Sequence, residues 1–231
     1  MENTNNNIPK DNLFKNINSN YILKIIFDKL RKIKSLNIIK YNKNIRDKLD
    51  IKINDYKEII QTEIEIYPIS NIWTEIKQFI NISKYEKENY YHIFLNDNNT
   101  ETKNTIFNTD VKVEKIRVIL DYEFKSFKRL FKRCERIKQI NFTKFNRKDN
   151  IDMSEMFLEC KSLTEINFSN FNLNNYIIFN NMITGCEALE KLNFSELNVT
   201  SDVTDASGIF SYFSKIKEIN VKFFNLIMLL I

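Results

Sequence analysis

Three cysteines, Cys134, Cys160 and Cys186, stand 26 residues apart from one another in succession. Three positions after each comes an aliphatic residue (Ile137, Leu163, Leu189), and six after each another (Ile140, Ile166, Leu192). Eight after each is a phenylalanine (Phe142, Phe168, Phe194), and eleven after are Phe145, Phe171 and Leu197, each followed by asparagine. A fourth copy places Phe213 in the cysteine slot, with Ile216, Ile219, Val221 and Phe224 behind it. So many agreeing positions define a repeat of about 26 residues.

The spacing predicts local structure. Positions plus six and plus eight alternate, so Ile166 and Phe168 share one face of a short strand. Before the cysteine, Met153, Met156, Phe157 and Cys160 follow helical spacing and predict a short helix. Neither element can bury its apolar face alone, whereas stacked copies share one core. The fold expected is therefore α/β: a short leucine-rich-repeat solenoid with one strand and one short helix per ~26-residue repeat, preceded by a small mixed α+β region. Each cysteine is then a small interior hydrophobe. Asn141, Asn167, Asn193 and Asn220 occupy one equivalent outward slot, suited to a hydrogen-bonded ladder at the ~4.8 Å strand spacing.

Residues 153–172, MSEMFLECKSLTEINFSNFN, resemble BspA-type leucine-rich repeats, whose units read like MS-x-MF-x-x-C-x-x-L-x-x-L-N-L-S-N-F-N. The likeness extends over about residues 112–226 and implies a non-catalytic scaffold associated with cell surfaces, adhesion and protein binding. Four regions are expected: a disordered tail (1–18), a helical hairpin (19–50), a small β-containing module (51–111) and the repeats (112–231). In the hairpin, Ser19 or Asn20 caps a helix carrying Ile22, Ile26, Leu30 and Ile33 near one face. A second helix is expected from Ser35 across SLNIIKYNKNIRDKL. This layout is similar to an F-box, which implies a substrate adaptor of a ubiquitin ligase. In the module, the alternation of TEIEI around Glu63 predicts a half-exposed strand.

Charge adds a second surface. The run FKSFKRLFKRCERIK reads as a basic amphipathic helix with Lys125, Lys128, Arg129, Lys132, Arg133 and Arg136 on one side. Such a face is a candidate for nucleic-acid phosphates or an anionic membrane. The simpler reading is that it covers the end of the repeats with its charges solvated.

Catalysis and cofactors find little support in the sequence. The single histidine, His92, lies outside the repeats, so no Cys–His pair or zinc pattern forms. Two glycines, Gly185 and Gly208, cannot build a phosphate-cradling loop. No enzyme, metal or cofactor is expected. The polar start lacks the basic-then-apolar order of a secretory signal, which favours the cytoplasm, while the resemblance favours a cell surface. No apolar run approaches the roughly 20 residues of a membrane helix.

The function expected is binding of another protein through the strand face. The contacts are Gln139, Asn141 and Thr143; Glu165, Asn167 and Ser169; Lys191, Asn193 and Ser195; and Glu218, Asn220 and Lys222. The apolar ending FFNLIMLLI adds self-association through that end as a further expectation.

Overall fold

The computed structural model describes residues 17, 19–30, 35, 38–39, 42–52, 61–69, 77–107, 112–121, 124, 126–145, 151–168, 177–193, 203–205, 207–209, 211–212 and 214–220. The expectations for Lys125, Ser169, Ser195, Lys222, the tail before Ile17 and the ending 221–231 lie outside these residues. The chain divides into two compact units, Met1–Ile59 and Ile60–Ile231.

In the first unit, helix α1 (Asn20–Lys29) starts at Ser19, whose hydroxyl accepts the Ile22 amide at 3.4 Å. Leu23 and Phe27, one turn apart, form its buried stripe, while Ile22 turns to solvent. The inward face is thus shifted by one residue from the one expected. Helix α2 (Lys43–Leu49) buries Ile45 and Leu49. The single long helix expected from Ser35 is interrupted at Asn42, which is extended (φ −128°, ψ 91°) and caps α2 by accepting the Ile45 amide at 3.2 Å. Ser35 is buried and donates its hydroxyl to the Phe27 carbonyl.

The second unit is organised by sheets. Its strands are β1 (Thr62–Pro68), β2 (Lys77–Gln78), β3 (Tyr91–Leu95), β4 (Glu101–Thr102), β5 (Ile106–Phe107), β6 (Ile116–Leu120), β7 (Ile137–Phe145), β8 (Ile151–Asp152), β9 (Glu165–Asn167), β10 (Ile177–Ile178), β11 (Lys191–Asn193), β12 (Val203–Asp205) and β13 (Glu218–Asn220). Eight of them form one mixed sheet in the order β13-β11-β9-β7-β1-β6-β3-β4. The first four are parallel, and the repeat sets their register: Ile140 opposes Ile166, and Leu192 opposes Ile166 and Ile219. Strand β1 then lies antiparallel between β7 and β6. A second sheet, β12-β10-β8, is parallel, and β2 pairs with β5.

This architecture corrects the leucine-rich-repeat solenoid expected from the sequence. The repeat strands are not an array of their own behind a separate module; they continue into the strands of residues 62–120 as one mixed sheet. Nor does each repeat carry a helix. The segments at 127–134, 153–160 and 179–186 are successive tight turns, including the run expected to be a basic helix. Backbone handedness explains why. Arg129, Arg133, Glu155, Glu159, Asn181, Gly185, Gly208 and Tyr212 all have φ between 50° and 73°. Right-handed helix cannot continue through a left-handed residue at every fourth position. The backbone amides divide accordingly. Leu158 and Cys160 donate to Glu155 and Phe157, three residues back, and close turns. Met153, Glu155, Phe157 and Glu159 donate instead to Ile178, Asn180, Met182 and Thr184 of the next repeat.

The cysteines lie in the core beneath these turns, all fully buried. The Cys160 thiol donates to the Phe131 carbonyl at 2.9 Å, and the Cys186 thiol to the equivalent Phe157 carbonyl at 3.2 Å. Phe131 stacks on Phe157 at 5.4 Å, and Phe142 on Phe168 at 5.6 Å, each nearly parallel. Where no earlier repeat precedes the first turn, Asn81 takes its place. Its amide donates to the Leu130 carbonyl, and its side chain to the Arg129 and Lys132 carbonyls at 3.0 and 2.8 Å.

Candidate functional site

Strand alternation sends every second residue of the large sheet away from the core. In β1, Ile64 and Ile66 point inward and Glu63, Glu65 and Tyr67 outward; in β6, Arg117 and Ile119 face the same way. Register aligns these outward positions into rows. One row runs Tyr67–Gln139–Glu165–Lys191–Glu218, and another Phe94–Arg117–Glu65–Asn141–Asn167–Asn193–Asn220. Of the residues expected at the strand face, Gln139, Asn141, Glu165, Asn167, Lys191 and Glu218 are thereby brought into adjacent register. Gln139, Asn141, Glu165 and Asn167 are half-buried, whereas Lys191 and Glu218 are exposed. Thr143 departs from the rows. It sits where β7 bulges against β1, and its hydroxyl donates to the Glu63 carbonyl at 3.2 Å.

Sequence reasoning missed the part of this face supplied by β1, β6 and β3. The outward residues could be read from alternation, but which strand lies beside β7 could not. Polar contacts are dense here. Partial burial pushes the Glu65 carboxyl up, but Lys115 at 2.7 Å, the Tyr67 hydroxyl at 2.8 Å and nearby Arg117 outweigh it and hold the carboxyl below its usual range. Burial and the Glu65 charge together raise the Tyr67 hydroxyl. Arg117 stacks its guanidinium over Phe94, 4.4 Å from the ring centre. Gln139 donates to Asn141 at 3.0 Å.

The basic run is largely neutralised by the repeat that follows it. Arg129 grips Glu155 through two nitrogens at 3.0 and 2.7 Å, and Lys132 reaches the same carboxylate at 2.7 Å. Arg133 pairs with Glu159 at 2.6 Å, and Lys128 lies 3.6 Å from Asp152. The Arg129 and Lys132 hydrogen bonds pull the Glu155 carboxyl down to about 2, and Arg133 lowers Glu159. Arg136 lies apart from this ladder, on a cleft with Lys77, Glu135, Lys161 and Ser162.

The thiols are poor nucleophiles. Burial pushes all three up, Cys186 to about 12. His92 Nδ1 lies 3.1 Å from Glu101, and its Nε2 is 3.9 Å from Asp121. Among the described residues no group of three or more His, Cys, Asp or Glu is placed to hold a metal ion. No described helix is long and apolar enough to cross a membrane.

Fold and face together define a sheet-rich α/β protein of in-register 26-residue units, with ordered polar rows on one side of a mixed sheet. Residues 125–226 match the model of a family described as "Mycoplasma protein of unknown function, DUF285". No curated protein and no solved structure matches the chain significantly.

Proposed function

We propose that the chain is a non-catalytic scaffold that binds another protein through the outer face of its large sheet. The observation that carries this reading is the register that aligns Tyr67, Gln139, Glu165, Lys191 and Glu218 across five adjacent strands. Eight strands at ~4.8 Å spacing give a face ~34 Å across, enough for an interface at the small end of the stable range. The resemblance of residues 153–172 to BspA-type repeats, associated with adhesion and protein binding, points the same way. The F-box-like similarity adds nothing, because the second helix it requires is broken at Asn42.

The test is affinity capture from the native cell, comparing the wild-type chain with the charge swap Lys191→Glu/Glu218→Lys and with a chain lacking residues 1–50. Both swapped residues are exposed, and their order along the row simply reverses, so fold and net charge are retained. A protein partner lost from the swap and kept by the truncation supports the reading. A partner kept by the swap refutes it. Ubiquitin-ligase subunits lost on truncation, or nucleic acid alone, would replace it with the adaptor or the basic-surface reading.

A further inference from the structure

Helix α1 carries more apolar side chains than its unit buries. Tyr21, Ile22, Leu23, Ile25, Ile26 and Phe27 fill six of its ten positions, yet only Leu23 and Phe27 are buried. Tyr21, Ile22 and Ile25 are 73%, 50% and 43% exposed. At about 3.6 residues per turn these three lie within an arc of about 100°, and Leu23 and Phe27 lie on the opposite side. The other large apolar residues exposed among the described ones, Tyr85, Ile106 and Tyr212, stand singly in the sequence of the second unit. Single exposed side chains are ordinary; three on one helical arc mark an interaction surface.

Charge is available on the same helix. Lys24 and Lys29 are exposed and make no hydrogen bond or ion pair among the described residues. This contrasts with Arg129, Lys132 and Arg133, whose nitrogens are spent on Glu155 and Glu159. Lys24 borders the arc beside Tyr21, and Lys29 lies one turn beyond Ile25; Asp28 is the one carboxylate of the helix. The unit as a whole is basic. Residues 1–59 hold 13 lysines and arginines against 7 acidic residues, a net +6 in a chain of net +5, which leaves the second unit at −1.

We infer that α1 is an interfacial helix that seats the chain on an anionic lipid bilayer. Tyr21, Ile22 and Ile25 enter the boundary between headgroups and acyl chains. Lys24 and Lys29 run their stems along that boundary and place their ammonium groups among the lipid phosphates. The net charge of the unit draws it to such a surface. Leu23 and Phe27 keep their places in the core, so the helix docks folded. A second copy would set one +6 unit against another, and a nucleic acid would meet the cations but leave the isoleucines in water. The inference is independent of the strand-face reading and goes beyond it: it concerns where the scaffold is held.

The probes are vesicles of phosphatidylcholine alone and of phosphatidylcholine mixed with phosphatidylglycerol, titrated against the full chain and separated by flotation. Saturable binding to the mixed vesicles is expected, at least ~10-fold tighter than to phosphatidylcholine and weakened by salt. The double variant Ile22→Ser/Ile25→Ser changes exposed residues only, and its fold is checked by its melt. It should bind the mixed vesicles at least ~10-fold more weakly, and Lys24→Gln/Lys29→Gln about 10-fold more weakly. Ile106→Ser, at an exposed isoleucine of β5, should leave binding unchanged. Equal binding to both kinds of vesicle, binding that survives Ile22→Ser/Ile25→Ser, or an equal loss in Ile106→Ser overturns the inference. A dimer abolished by Ile22→Ser/Ile25→Ser, with no vesicle binding by the wild type, also overturns it and makes a second copy the occupant.

Discussion

Replacing Cys160 by aspartate tests the interior of the repeats most directly. The native thiol is fully buried and donates to the Phe131 carbonyl at 2.9 Å. An ionised carboxylate cannot donate there, and it would face the carbonyl oxygen with like polarity, so the group is held neutral, in which form its hydroxyl can still donate. The larger side chain adds about 1 kcal/mol of overpacking. Charge dominates. If burial lifts the new carboxyl from ~3.9 to ~7, keeping it neutral at pH 7 costs about 4 kcal/mol, at 1.36 kcal/mol per unit. The total of about 5 kcal/mol is comparable with the whole stability of a small domain. The sign fixes the pH dependence. A carboxyl raised in the folded state has its full stability below ~3.9, and loses it as pH rises through the folded value. Thermal melts of Cys160→Asp and wild type should therefore differ least near pH 4 and progressively more up to pH 7. Cys160→Ser, which keeps a donor, should lose only about 1 kcal/mol. A pH-independent gap, or one below about 1 kcal/mol at pH 7, would refute the buried, hydrogen-bonded slot.

Two further perturbations address the ladder and its cap. Glu155→Gln should cost about 1–2 kcal/mol at pH 7 by urea titration, a figure discounted for the exposure of its partners. Because the Glu155 carboxyl is held down at about 2, its stabilisation is present above ~4.5 and lost as pH falls through about 2, so the gap to wild type should close there. Asn81→Ala leaves the Arg129 and Lys132 carbonyls without their side-chain donor and should cost about 1–2 kcal/mol. Hydrogen exchange should accelerate at residues 130–134 and stay unchanged at 186–192; uniform acceleration would show that Asn81 is not a local cap.

Much of the sheet was legible because the repeat length is also the register. Gln139, Glu165 and Lys191 share a slot in sequence and oppose one another in space. The turns were misread for a physical reason. Met153, Met156, Phe157 and Cys160 face one side of a helix, but consecutive three-residue turns also bring residues three apart to the same side. Gly185 and Gly208 carried the discriminating signal. They occupy two left-handed positions of the turn, filled in other copies by Arg129, Glu155, Arg133 and Glu159, whose side chains hide the requirement. The left-handed cost, about 1–2 kcal/mol per residue, is offset by the amides that these turns aim at the next repeat. Pairing of β1 with β7 was invisible because it joins residues some 75 positions apart, and Asn81 because nothing separates one asparagine from its many neighbours.

The same packing bears on where a partner of the proposed kind would find purchase on the sheet. Along the turns, side chains pair between repeats: Arg129 and Lys132 with Glu155, Arg133 with Glu159. On the strand face near β1, pairing is local. Tyr67 donates to Glu65, Gln139 to Asn141, and Lys115 closes on Glu65. A partner arriving there must displace hydrogen bonds already made, which offsets much of what it gains. Lys191 and Glu218 lie further along the row and are exposed, so contacts to them displace mainly water. Binding energy on this face should therefore concentrate toward β11 and β13. The Lys191→Glu/Glu218→Lys swap reaches that end of the row without disturbing the network that joins β1 to the repeats.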